Sequence, residues 1–321
     1  VRPTATRPGP ERLSPGYYGA GRVPPDVSAL ASVPDTLAAG SPAKVGILDL
    51  AFALRGGRTE LVERYQKSPL QIMRPLWIDP AMPGMSYVYL MSTGGGIAQA
   101  DRYRMDFRCG PGTEVHLTTQ AATKVFRMEH DYASQHVRLT AAPGAYAEYL
   151  PDPLIPFRGA RFYQRTEVTV ASGATVVVGD TLAAGRLARG ERHGYRVLAT
   201  DLRLARPDGT LLGVDTLRLR PGAGGPGDEV TGPGVFAGYD HVASLFVVTD
   251  RAPATEVADA LYEALEGLGV LYGVSVLPRE CGAWARFLDD SPVRVAAAHA
   301  AARHRLHRLL TGHPAPDLRK P

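Results

Sequence analysis

From Lys44 onward the chain runs in short apolar stretches with polar alternation. KVGILDLAFAL (44–54), TELVERYQ (59–66), LQIMRPLWI (70–78) and SYVYLM (86–91) each read as a strand, broken by Gly, Pro or charge. The same pattern continues in DRYRMDFRC, EVHLTTQ, QHVRLTA, AYAEYL, FYQRTEVTV, ATVVVGD, YRVLATDLRLA, TLLGVDTLRL and ASLFVVTD. Many short strands with turn signals between them predict a mainly β body, placed at residues 43–240. No internal repeat of constant period is visible in the sequence.

The period changes near the C-terminus. ATEVADALYEALEGLG carries Val257, Leu261, Leu265 and Leu268 on one helical stripe, with Thr255 as N-cap. LYGVSVLP returns to a strand, and CGAWARFLDD is read as a short helix presenting Trp284 and Phe287. In the last helix Ser291 caps the start, Pro292 fills the first turn and Gly312 ends it. Residues 241–311 are therefore expected to form a smaller α/β portion, followed by a tail at 312–321. Residues 1–42, rich in Pro, Gly, Ser and Arg without periodicity, are expected to be a flexible tail.

Composition narrows the function classes. Lys+Arg total 36 against 32 Asp+Glu, and the only lysines are Lys44, Lys67, Lys124 and Lys320. The arginines are interspersed with acids rather than gathered in a stripe, so nucleic acid is not the expected partner. No apolar run approaches the ~20 residues of a membrane helix. VRPTATRPGP has no signal-peptide core, and two distant cysteines, Cys109 and Cys281, make no disulfide framework, so a cytoplasmic location is expected.

Five stretches hold candidate chemistry. STGGGIAQAD (92–101) lacks the third glycine of a dinucleotide loop and the Gly-Lys-Ser/Thr of a Walker loop. Its glycines are expected to let two backbones approach at a strand bend, which leaves Asp101 to explain. TTQAATKVFR (118–127) gathers Thr119, Gln120 and Lys124, which would either form a bonded network or line a polar cleft. AEYLPDPLIPFRGARF (147–162) places Glu148 among apolar neighbours and Asp152 in a Pro-Asp-Pro turn, a pair open to acid/base work or to a simple turn role. GRLARGE (185–191) ends in Glu191 beside arginines that could pair with it. His304 and His307 lie among arginines, and neither HExxH nor CxxC occurs. A metal would have to be held weakly, through oxygen.

In order, KVGILDL, LQIMRPLW, GGGIAQAD, LTTQAATKVFR, EYLPDPLIPFRGARF, GRLARGE and GVSVLP resemble the urease accessory protein UreD family, also called UreH, from about Lys44 to about Leu310. One departure is Ala100 before Asp101, where relatives usually carry a Gly-Gly-Asp run. The resemblance implies a β-helix-like body with a few helices and no catalysis. It implies binding of a UreF-type partner, recruitment through it of a UreG-type GTPase, and docking on apo-urease to assist nickel insertion. Nickel would be in transit through a polar tunnel, with no tightly bound cofactor. On that reading Asp101, Glu148 and Glu191 are passage-lining carboxylates, and Thr119, Gln120 and Lys124 shape the same interior. Leu306 and Leu309 on the last helix are expected to meet the partner. The rival readings are a β-helical carbohydrate-active enzyme using Glu148 and Asp152, and a docking scaffold without a metal passage.

Overall fold

The computed structural model describes residues 4–5, 10–32, 41, 44–222 and 230–318. It opens with β1 (Thr4–Ala5), α1 (Pro15–Tyr18) and α2 (Pro25–Ser28), then β2 (Val45–Arg55), β3 (Arg58–Lys67), β4 (Leu70–Ile72) and β5 (Ser86–Ser92). The middle contains β6 (Arg102–Cys109), β7 (Glu114–Thr119), β8 (Thr123–Val125), β9 (Ala133–Ala141), β10 (Tyr146–Tyr149), β11 (Leu154–Pro156), β12 (Arg161–Val170) and β13 (Thr175–Ala183). Next are β14 (Val197–Ala205), β15 (Leu211–Leu219), β16 (His241–Val248), α3 (Ala254–Leu265), β17 (Leu271–Val276), β18 (Gly282–Asp289) and α4 (Pro292–Thr311).

The strands form two sheets, one ordered β1-β3-β2-β6-β9-β12-β14-β15 and the other β17-β18-β16-β13-β10-β7-β5-β4. From β5 to β14 the long strands alternate between the sheets, and their central pairings are parallel. The result is a β-solenoid-like body. Its corners repeat although no period is visible in the sequence. GPGT, APGA and ASGA place Gly112, Gly144 and Gly173 at positive φ, one above another. Gly144 N–H donates to Gly173 O at 3.2 Å, and a Cβ on Gly144 would lie 3.6 Å from the Gly112 backbone. Insertions of unequal length at the opposite corners hide this repeat from any constant-period search.

Inside and outside separate with the two-residue period of a strand. The row Phe107–Leu139–Val168–Leu204 points inward and is buried. The neighbouring row Asp106–Arg138–Glu167–Arg203 points outward. The second sheet is covered on its other face by α3 and α4, which bury Val257, Leu261, Leu265, Val295, Ala298, Ala302, Leu306 and Leu310 against β16 and β18. This explains why β16 is buried along its whole length.

Three expectations change. CGAWARFLDD is not a helix: Gly282–Asp289 is strand β18, paired antiparallel with β16 and β17. Alternate residues Trp284, Arg286 and Leu288 face one side while Ala283, Ala285 and Phe287 face the helices, a two-residue period that the short apolar run obscures. The C-terminal portion is continuous with the body, because β16 pairs with β13. The head is not a free tail through residues 10–32. Tyr18 and Val27 are buried, Val27 beside Tyr163, Val197 and Ala199. Tyr17 donates to Asp106 at 2.9 Å, Arg12 pairs with Asp49, and Arg220 reaches Asp26 at 2.9 Å. Isolated aromatic and charged residues make these contacts, so no periodicity announces them. The expected tail segments at 33–40, 42–43 and 319–321 lie outside the described residues. The last helix begins at Pro292, capped by the Ser291 hydroxyl accepting from Arg294 N–H at 3.3 Å, and ends at Gly312 with φ +81°.

Candidate functional site

The glycine stretch is a close backbone crossing. Gly95 takes φ +66°, and a Cβ on Gly96 would sit 2.7 Å from the Lys124 carbonyl. Ile97 N–H donates to that carbonyl at 2.7 Å. Asp101 closes this loop on itself: Oδ2 accepts from Ala98 N–H at 2.7 Å and from the Tyr103 hydroxyl at 3.0 Å. Burial raises its carboxyl above the usual range despite these bonds.

Glu148 is sealed between the second sheet and α4, 1% exposed. It accepts from the Tyr146 hydroxyl at 2.7 Å and from Arg303 Nε at 3.1 Å, and its Oε2 lies 2.6 Å from His116 Nδ1. Burial pushes this carboxyl up, but the Arg303 charge and the His116 hydrogen bond hold it well below the ordinary carboxylate range. Arg303, on α4, is a buried partner of Glu148. Glu191 is gripped by Arg186, Nε to Oε2 at 2.8 Å and Nη2 to Oε1 at 2.5 Å, and it also accepts from Arg158 N–H at 3.1 Å. The Arg186 hydrogen bonds lower its carboxyl. The three carboxylates thus share no partner, and none lines the interior cavity described next. A periodic reading of single strands cannot separate a carboxylate facing the helix layer from one facing the space between the sheets.

That space contains a cavity of about 270 Å³. Thr119, Gln120, Lys124 and Asp152 line one end, with Gln120 and Lys124 exposed. Asp152 and Thr119 bond each other there, the Asp152 N–H donating to Oγ1 at 2.8 Å. Gln135, Gln164, Asp180 and Thr181 line the other end. Two smaller spaces of about 40 and 20 Å³ continue past them, both bounded by Gln164, Asp180, Thr200 and Asp215. The first of these reaches exposed Gly234. These adjoining spaces share Gln164 and Asp180 and trace a candidate path between the sheets, lined by polar and apolar residues alike.

The residues along this path follow from register. The inward row Tyr103–Gln135–Gln164–Thr200 is polar where the row Phe107–Leu139–Val168–Leu204 is apolar. Gln135 Nε2 donates to Gln164 Oε1 at 3.3 Å. Asp180 stands opposite, on the inward side of β13 with Val176 and Val178. Across the ladder it pairs in register with Ser244. Arg286 donates to Ser244 Oγ at 3.0 Å and to Asp215 at 2.6 Å. Burial and the Asp215 charge push the Asp180 carboxyl up to about 6, against the opposing pull of Arg286. These residues were missed from sequence. The available signal was Asp180 falling in phase with the valines of ATVVVGD, an inward carboxylate on a core strand.

A groove of about 640 Å³ opens beside this path, sharing Pro151, Asp152 and Thr181 with it and bounded by α4 and residues 315–318. Leu306 does not line it. Leu306 is 1% exposed and Leu309 partly buried, both packed on the body's own core. Within this described structure Leu306 offers no surface to a partner. His304 is exposed, whereas His307 is buried and lies 2.9 Å from the His313 carbonyl. Among the described residues no group of three or more His, Cys, Asp and Glu side chains is placed to hold a metal ion, and no helix is long and apolar enough to cross a membrane.

A β-solenoid-like body covered on one face by two helices, with polar side chains between its sheets, defines the structural class. Within that class the family is specific. Residues 44–321 match the model of the UreD urease accessory protein, and the chain belongs to that family. It is 78% identical over 295 residues to urease accessory protein UreD 2 of Streptomyces griseus, covering 92% of this chain and 100% of that protein. It is 38% identical over 253 residues to UreD 2 of Methylorubrum extorquens, covering 78% of this chain and 80% of the relative. It is 36% identical over 284 residues to UreD of Haloarcula marismortui, covering 88% and 93%.

Proposed function

We propose that this chain is a non-catalytic urease maturation factor that conducts nickel to apo-urease through the polar path between its sheets. It acts in the cytoplasm, with a UreF-type protein and, through it, a UreG-type GTPase. What supports the maturation role is the family. What supports the passage is that the spaces between the sheets adjoin at Gln164 and Asp180, with polar side chains from Gln120 to Asp180 among apolar ones and Gly234 on the far side. Oxygen donors along a wet channel suit an ion that must be released as readily as it is bound. Asp101, Glu148 and Glu191 support the walls rather than the lumen, through their bonds to Tyr103, Arg303 and Arg186. The glycosidase alternative loses its pair, because Glu148 is sealed under α4 while Asp152 is tied to Thr119.

The test is a plug. Gln164→Phe fills the point common to all three spaces. The variant is expected to fold and to co-purify with the UreF-type partner and apo-urease, yet to activate urease poorly when nickel is limiting. Full activation by the plugged chain favours a docking scaffold without a passage.

A further inference from the structure

We infer that the groove beside α4 receives an extended, uncharged, apolar peptide segment of another protein, with main-chain carbonyls seated on Arg303 and His241. The outer face of the second sheet changes character along its strands. Under the helices it is apolar, with Val177, Leu245, Val247 and Phe287 buried. In the groove the same face is polar, with Thr118, Thr181 and His241 among the lining residues. The two-residue period of β16 puts His241 on the side of Leu245 and Val247, facing the helix layer and not the space between the sheets.

His241 is 5% exposed and Arg303 7%. Both line the groove, yet His241 Nδ1 and Arg303 Nη2 are buried without a hydrogen-bond partner among the described residues. A buried polar group left unpaired costs its full desolvation, so each atom calls for a partner from outside the fold. Residues 313–318 show which group fits. They seat three main-chain carbonyls on side chains: His313 O lies 2.9 Å from His307 Nδ1, Pro316 O accepts from Arg303 Nη1 at 3.2 Å, and Leu318 O accepts from the Tyr89 hydroxyl at 2.6 Å. One arm of the Arg303 guanidinium therefore already holds a peptide carbonyl, and the other arm is the one without a partner. Charge decides against an anion. Arg303 is the only Lys or Arg among the lining residues, Glu148 already binds it, and Asp152 and Asp317 add two carboxylates to the walls. A neutral carbonyl satisfies Nη2 without that repulsion. Pro151, Ala296, Ala300 and Leu318 supply apolar walls, and the groove's volume of about 640 Å³ lies within the ~300–1,000 Å³ of ligand clefts.

The experiment titrates the full chain with the capped peptide acetyl-Ala-Pro-Ala-Leu-amide, an uncharged likeness of residues 315–318, and follows nitrogen–proton NMR signals. Hexanoate serves as the carboxylate control and hexanol as the purely apolar one. The peptide should saturate, shifting the Arg303 Nε–H and His241 ring signals together with the Ala300 and Thr181 amides. Hexanol should move Ala300 without Arg303 or His241, and hexanoate should bind more weakly than the peptide. Ala300→Trp, at an exposed helix position, should keep the thermal transition and weaken the peptide by at least about tenfold. His241→Phe should weaken it about fivefold, the worth of one net hydrogen bond. If His241→Phe does not fold, Ala300→Trp with the Arg303 signal decides. Arg303 and His241 signals that stay still, or full binding by Ala300→Trp, overturn the site. Hexanoate binding more tightly than the peptide, or full binding by a folded His241→Phe, overturns the carbonyl assignment. A wild-type dimer in sedimentation that Ala300→Trp dissociates would put a second copy of the chain in the groove and overturn the peptide.

Discussion

Arg303 on the last helix meets Glu148 on the second sheet at 3.1 Å, with both side chains almost wholly removed from water, 8% and 1% exposed. The pair sits in a hydrogen-bonded network, since His116 and Tyr146 bind the same carboxylate and Arg303 also donates to the Pro316 carbonyl. It joins the solenoid, the helical cover and the C-terminal segment at one point. Arg303→Ala or Glu148→Ala strands one buried charge, and either should cost about 3–5 kcal/mol. Glu148→Ala combined with Arg303→Ala should cost less than the two single changes added, because no charge of the pair is left alone. Urea unfolding of the four proteins measures this; additive losses would show that the residues are uncoupled.

Why Glu148 reads as an interior carboxylate but not as this one is a matter of layers. The alternation in AYAEYL places Glu148 on the face opposite Ala147 and Tyr149, and it does so correctly. Strand periodicity does not say which face meets the second sheet and which meets a helix contributed 155 residues later in the chain. The same limit explains Leu306, whose stripe is legible although its packing partner is not. The best-punctuated element, α4, is legible at both ends because its caps are local. β18 and the docked head are illegible because their partners are distant.

Leu306 and Leu309 are separable by their environments. Leu306 is fully enclosed with Val295 and Leu310, so Leu306→Asp should unfold the helical cover. Burial of a leucine is worth about 1.5–3 kcal/mol before any cost of an enclosed carboxylate is added. Leu309→Asp, at a half-buried position, should leave a cooperative thermal transition. A UreF-type partner that still binds the Leu309→Asp chain would place its docking surface elsewhere than this helix edge.

Removal of residues 1–32 should destabilise the protein. It uncovers Tyr163, Val197 and Ala199 by deleting Val27, and it takes Arg12 from buried Asp49, which keeps Arg108. A thermal melt should shift down by several degrees, since about 1 kcal/mol corresponds to roughly 2–4 °C in a domain of 150–250 residues. An unchanged transition would mean that the head contributes no net stability where it docks.

His193 supplies a pH dependence with a definite sign. Burial, with Arg192 nearby, pushes its imidazole down to about 4, and it packs edge-on against Phe236 at 4.7 Å. In the unfolded chain an imidazole titrates near ~6.5. Between these values the unfolded state binds more protons, so stability should fall as pH drops from about 6.5 towards 4. His193→Gln should flatten that slope in pH-dependent urea melts. The loosening should appear first around 230–238, which includes the Gly234 end of the polar path.

Lys124 stands at the other end, exposed, in a chain whose basic residues are otherwise almost all arginine. It lines the main cavity with Thr119, Gln120 and Asp152, and its carbonyl is fixed by Ile97 while its side chain is at the mouth. If cations enter here, a fixed ammonium group opposes them, and its removal should help entry. Lys124→Ala should therefore raise urease activation at limiting nickel, and Lys124→Glu should raise it further. Both gains should shrink in high salt, because screening at ~0.15 M ionic strength already reduces interactions beyond about 8 Å. Stability should change little, since an exposed side chain is being replaced. If the ammonium instead receives an anionic group of a partner, both variants should activate less and bind that partner more weakly in pull-downs. Activation at several nickel concentrations, measured beside partner binding, decides between an entrance and a contact.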